Sequence, residues 1–158
     1  VGGRGLFASH ALVVAGGARL AGQYAQWFGQ RGKSAPTQGV LSYLLRAMRV
    51  REAWQPAAHA FRSLCSRCTW ELRDEALLLR LIEGAEACMP LPEAPAPGED
   101  AAADERVAVV EGLARVVAAL PPGPASQAGL RLTGPLLQRA QGLCSAGAAP
   151  GSPASPGG

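Results

Sequence analysis

The chain has 158 residues, a net charge of +3, 48% hydrophobic residues and 17% charged ones, enough apolar surface to build the core of one domain. Aromatics are scarce at 5%, and the apolar content is mostly alanine, leucine and valine, which suits close-packed helices better than the β-branched and aromatic faces of sheets. A mild positive charge with no basic stripe argues against a nucleic-acid binder, four cysteines are too few for a disulfide-stapled secreted scaffold, and the apolar run from Ala11 to Gly17 is far too short to cross a bilayer.

In chain order, the first predicted helix is Ala11 to Gln30. Arg4 followed by Leu12-Val13-Val14-Ala15 superficially resembles a secretory leader. The apolar periodicity runs on through Tyr24, Trp27 and Phe28, which a removable leader has no reason to do. Gly32-Lys33-Ser34-Ala35-Pro36 breaks the chain before a second helix, Thr37 to Arg49. From Glu52 to Cys68 the periodicity is clearest. Trp54, Ala58, Phe61, Cys65 and Cys68 fall along one helical face, with Ala57 and Leu64 widening it and Pro56 near the start, where a missing amide hydrogen does no harm. Arg62 and Arg67 fall away from that stripe.

Arg73 to Cys88 follows, so apolar between Leu77 and Ile82 that it must be covered on more than one side. Residues 89–103, with the run Pro90-Leu91-Pro92-Glu93-Ala94-Pro95-Ala96-Pro97, are expected to be a flexible acidic insertion. Asp104 is a plausible N-cap for a helix ending at Leu120 before Pro121-Pro122, with Val107, Val110, Leu113, Val117 and Leu120 as its stripe. Ser126 to Leu143 supplies a last helix, with a kink or a new start expected at Pro135. Residues 144–158 are Gly, Ala, Ser, Pro and Cys144 only and are expected to be a disordered tail.

The expectation is therefore an all-α fold over residues 6–143: six helices in three antiparallel pairs, a HEAT/armadillo-like helical-repeat solenoid with hairpins of roughly 40 to 50 residues. The first helix and the last pair would both expose apolar flanks, as in a segment of a longer array.

Little in the sequence suggests catalysis. Cys65 and Cys68 form a Cys-x-x-Cys, but the pair closes a helix on its buried stripe instead of opening one, and Cys88 and Cys144 are too scattered to complete a zinc site. Buried structural thiols are expected, with no cofactor and no metal. His10 and His59 lie apart from any carboxylate pair, and Glu71, Asp74, Glu75, Asp104 and Glu105 are explained as carboxylates at helix starts. The candidate partner-binding residues are the tight basic cluster Arg46, Arg49 and Arg51, on an inter-helix loop, and Trp70 at the turn after the cysteine pair.

Four stretches carry a family resemblance. Ala57-Ala58-His59-Ala60-Phe61-Arg62-Ser63-Leu64-Cys65-Ser66-Arg67-Cys68 resembles a small-residue helix ending in a cysteine pair. Gly39-Val40-Leu41-Ser42-Tyr43-Leu44-Leu45-Arg46-Ala47-Met48 resembles the helix before it, and Leu20-Ala21-Gly22-Gln23-Tyr24-Ala25-Gln26-Trp27 an earlier one. Val109-Val110-Glu111-Gly112-Leu113-Ala114-Arg115-Val116-Val117-Ala118-Ala119-Leu120-Pro121 is similar to the first helix of the next repeat. In order and spacing they resemble the transportin-3/importin-13 branch of the importin-β (karyopherin-β) superfamily over roughly residues 10 to 143, the extent of three HEAT-type repeats.

The resemblance implies a non-enzymatic nuclear import receptor that shuttles between nucleus and cytoplasm. Such a receptor binds protein cargo, serine/arginine-rich splicing factors among them, and is switched by the GTPase Ran in its GTP form. Neither nucleic acid nor membrane is an implied partner. The chain departs from the family in being slightly basic, and the region resembled is central, away from the repeats that grip Ran and from the arginine-rich cargo-binding helix. No cargo or Ran contact residue is carried over. A HEAT or armadillo scaffold outside transport is the alternative.

Overall fold

Proline and glycine punctuation, helix caps and apolar periodicity divide the chain into helices. The computed structural model describes residues 3–31, 36–88 and 100–147. Among these it is all-α, with α1 Gly3–Gln23, α2 Ala25–Arg31, α3 Thr37–Ala47, a 3-10 turn Arg51–Ala53, α4 Trp54–Arg67, α5 Glu75–Cys88, α6 Asp100–Ala118 and α7 Pro122–Gly147.

The first expected helix is two. Tyr24 is a turn between α1 and α2, yet its amide donates to the Leu20 carbonyl at 3.0 Å and its carbonyl accepts from Phe28 at 3.1 Å, so the ladder bends without parting. α1 also starts at Gly3, well before Ala11; its early glycines each cost only about 1 kcal/mol against alanine, too little to stop a helix. α3 and α4 fall where the periodicity puts them. α5 starts behind Asp74, whose Oδ1 accepts from the Leu77 amide at 2.8 Å as an N-cap does. Asp74→Ala is expected to lower stability by about 0.5–2 kcal/mol, checked by urea unfolding, while Asp74→Asn should lose far less because it keeps the acceptor.

α6 begins at Asp100, so residues 100–103, expected in the insertion, are helical and Asp104 lies inside the helix instead of capping it. The alanine-rich Asp100-Ala101-Ala102-Ala103 has the propensity to extend the helix, with acids at its start. Residues 89–99, the rest of that insertion, and 148–158 of the expected tail lie outside the described residues. The double proline both ends α6 and opens α7: Pro122 is the first helical residue, where it gives up no needed donor. α7 starts four residues ahead of Ser126 and continues past Cys144. It runs through Pro135 with no new start; Pro135 and Arg131, whose carbonyl Pro135 leaves without a helical donor, are both exposed.

α4 is the centre of the molecule. It packs against α1, α2, α3 and α6, while α5 packs against α3, α6 and α7, and α7 also against α6. Helices two apart in the chain are therefore neighbours: α1–α2, α4 and α6 make one row, α3, α5 and α7 another. The heaviest packing joins α1 to α4 and α4 to α6, and α4 and α5, expected as the middle antiparallel pair, barely touch each other, because α4 turns its buried stripe to α1, α3 and α6. Phe61, Leu64, Cys65, Ala57 and Ala58 of α4 are fully buried and Cys68 nearly so, with Trp54 half-buried at the edge of the same stripe.

Small residues set how close these helices come. A Cβ on Gly22 of α1 would stand 3.2 Å from the Ala60 Cβ, and one on Gly112 of α6 would stand 3.0 Å from the Arg62 Cα. The Gly112 contact also corrects the expected α6 stripe. Val107 is 63% exposed and Val110 and Val117 only half-buried, whereas Glu105, Ala108, Val109, Leu113, Val116 and Leu120 are buried. With apolar residues on every side, α6 has little amphipathic contrast, and the face carrying glycine is the one that can reach α4.

Candidate interaction surfaces

The two thiols of the Cys-x-x-Cys lie at the end of α4 on its inward stripe, both buried. Burial pushes the Cys65 thiol far up, with the neighbouring Cys68 adding to it. Cys68 is pushed up to about 11, first by burial and then by the Glu71 carboxylate, with the Thr37 hydroxyl opposing. These are thiols held protonated, the reverse of a reactive cysteine. Among the described residues no group of three or more His, Cys, Asp or Glu could hold a metal ion, and no helix is long and apolar enough to cross a membrane.

The thiols make stability fall at alkaline pH. Unfolded, each ionises around 9.0, whereas in the fold both stay protonated beyond that. Above pH 9.0 the unfolded chain therefore binds fewer protons, and stability drops as pH rises, by up to about 1.4 kcal/mol per pH unit for each thiol. Below that pH the thiols contribute no slope. Urea unfolding under reducing conditions at a series of pH values should show a steeper alkaline loss for the native chain than for Cys65→Ala/Cys68→Ala. Parallel curves would mean that the thiols ionise equally in both states.

The arginine cluster lies mostly in the expected connection between helices, with one member on the helix before it. Arg46 is in the last turn of α3, Arg49 in the turn after it, and Arg51 opens the 3-10 turn. All three are exposed and none forms an ion pair among the described residues. Trp70 is 64% exposed in the turn between α4 and α5, with the Arg73 guanidinium stacked 4.7 Å from its ring centroid. That stack is a partner the sequence reading missed. A cleft of about 620 Å³ lies between Trp70, Glu71, Leu72 and Arg73 on one wall and Pro36, Thr37 and Gln38 on the other.

Trp70 thus sits by the N-terminus of α3 and the arginines at its C-terminus, about 16 Å apart along an 11-residue helix. The structure does not join them into one site. Glu71, assigned from the sequence to the start of α5, serves α3 instead: its Oε2 accepts from the buried Thr37 hydroxyl at 2.6 Å. Its Oε1 is buried with no hydrogen-bond partner among the described residues, and so is Glu105 Oε2, on the buried face of α6. Between α4 and α6, Glu111 of α6 accepts from Arg115 at 2.6 Å and from Arg62 at 3.3 Å. The two guanidiniums, Arg115 foremost, hold the Glu111 carboxyl below the usual carboxylate range.

A second cleft, about 440 Å³ and almost wholly apolar, runs between α1–α2 and α3. Leu20, Tyr24 and Phe28 form one wall, Val40 and Tyr43 the other. Tyr43 donates its hydroxyl to the Val14 carbonyl at 2.9 Å, and Gly17 lets it in, since a Cβ there would overlap the phenol oxygen. Beyond the cleft Leu12 and Val13 are exposed, and at the far end of the molecule Leu130 and Leu137 of α7 are too. Large apolar side chains are thus exposed on both α1 and α7.

Comparison with protein-family models, with curated proteins and with solved structures finds no match.

Proposed function

We propose that the chain is a HEAT-type helical-repeat segment of a nuclear import receptor of the importin-β class, on the transportin-3/importin-13 branch. It works by binding and not by chemistry. The observation that supports the solenoid is the packing order: helices two apart stack in two rows, and the contacts between successive pairs outweigh those within them. Repeats that each bury a face on the next have heavy packing between successive units. The order and spacing of the four resembling stretches support the transport reading within that class. In this reading the open array offers a surface to protein cargo, such as serine/arginine-rich splicing factors, and Ran-GTP acts on repeats outside this chain.

A pull-down with the gene product that contains this chain, comparing Ran-GTP with Ran-GDP, tests the reading. Selective capture by the GTP form is expected. Capture by neither form, from a folded protein, would overturn the transport role and leave a HEAT or armadillo scaffold, which the same packing supports.

A further inference from the structure

We propose that the cleft on the seam between α1 and α4 is a binding site for an acidic side chain of a partner protein, seated together with an apolar neighbour. The two helices approach closely there, because a Cβ on Gly22 would stand 3.2 Å from the Ala60 Cβ. The cleft beside that contact has about 350 Å³, at the small end of ligand-pocket sizes. Ala18 and Ala60 are buried at its base, with Gly22 and Pro56 half-buried beside them. Arg19 and Gln23 line it from α1, one helical turn apart, and His59 and Ser63 line it from α4 at the same spacing.

The polar lining consists of donors without an acceptor. Ser63 spends its hydroxyl on the His59 carbonyl at 2.9 Å. The side chains of Arg19, Gln23 and His59, all exposed, make no hydrogen bond or ion pair among the described residues. Neither wall can supply a carboxylate, since α1 and α4 contain no aspartate or glutamate. Glu52, the acid just before α4, lines none of the cleft. The next seam shows how this fold answers such a cation. There Gly112 brings α6 against α4, and beside that contact the Glu111 carboxylate accepts from Arg62 of α4 and Arg115 of its own helix. The α1–α4 seam has the glycine contact and the guanidinium, and its carboxylate has to come from outside. An incoming carboxylate takes the fork of N–H groups on Arg19, with the Gln23 amide and a His59 ring N–H as further donors. An apolar residue next to it covers the alanines at the base. One guanidinium with no aromatic in the lining is not the basic, aromatic-interleaved stripe that a nucleic acid needs. The inference goes beyond the transport reading and does not rest on it, since a scaffold could use the cleft in the same way.

The test is an NMR titration of the isotope-labelled 158-residue chain with two short peptides capped at both ends. They share a leucine and differ only in whether glutamate or glutamine follows it. The chain has two histidines, so the His59 ring reports on the cleft and the His10 ring is an internal control. The glutamate peptide should shift the His59 ring and the Gln23 side-chain amide saturably and leave His10 in place. It should bind at least about five times more tightly than the glutamine twin at low salt, with the gap closing as salt screens the pairing. Arg19→Gln, at an exposed position, should erase the difference between the twins, whereas Arg46→Gln should leave it, with circular dichroism confirming that both variants stay folded. Twins that bind alike, no binding of either, shifts centred on His10, or a preference that survives Arg19→Gln would overturn the proposal. So would inorganic phosphate shifting the cleft signals when the glutamate peptide shifts none.

Discussion

Phe61→Ala is expected to remove about 3–5 kcal/mol of stability, the largest loss from any single side chain in the molecule. Phe61 is fully buried on α4, the helix that α1, α2, α3 and α6 all pack against, and it heads the fully buried side chains by volume. Truncation there leaves a cavity in the middle of the core cluster. Domains of this kind are stable by only about 5–15 kcal/mol, so the variant should be partly unfolded or unfold at a much lower urea midpoint. Circular dichroism and urea titration check this. A loss below about 1 kcal/mol, the range of an exposed position, would mean that α4 is not the hub of the core.

Gly112→Val is the second large effect, and it acts by crowding. The new Cβ would stand 3.0 Å from the Arg62 Cα and 3.4 Å from the Cys65 Cβ, a contact with backbone that no rotamer change relieves. Parting α6 from α4 is expected to cost about 1–3 kcal/mol or more, opposed only by the better helix propensity of valine. Gly134→Ala is the control. A Cβ at Gly134 of α7 meets nothing within 4 Å, so alanine there should stabilise by about 0.4–1 kcal/mol. Opposite signs in thermal unfolding would identify the α4–α6 approach as the reason for Gly112. Two stabilising substitutions would contradict the close crossing.

How legible each part was depends on contrast in the pattern. In α4 the apolar residues stand out against Gln55, His59, Arg62 and Arg67, and the stripe read from spacing is the buried one. In α6 nearly every position from Val107 to Val117 is small or apolar, several phases fit, and the one chosen left Val107 in solvent. The candidate site divides in the same way. Arg46, Arg49 and Arg51 were found because they are close in sequence, and they are exposed as a basic patch should be. Trp70 and Arg73 were three residues apart and still not paired, because the turn between α4 and α5, not a periodicity, folds the guanidinium over the ring. The apolar groove was foreshadowed only as a flank of the first helix, since its second wall comes from α3.

By itself the sequence determined that the described residues are all-helical, roughly where their helices begin and end, and that the Cys65 and Cys68 thiols are buried. Those properties depend on prolines, caps and spacing within one or two turns. The tertiary structure alone decided which face of α6 turns inward, that Glu71 serves Thr37 of a helix 34 residues earlier, and that Glu111 reaches Arg62 across 49 residues. It also set Trp70 and the arginines at opposite ends of α3 and opened a groove between α1 and α3. Each of these depends on how closely two helices approach, which small residues such as Gly22 and Gly112 permit and no local pattern records.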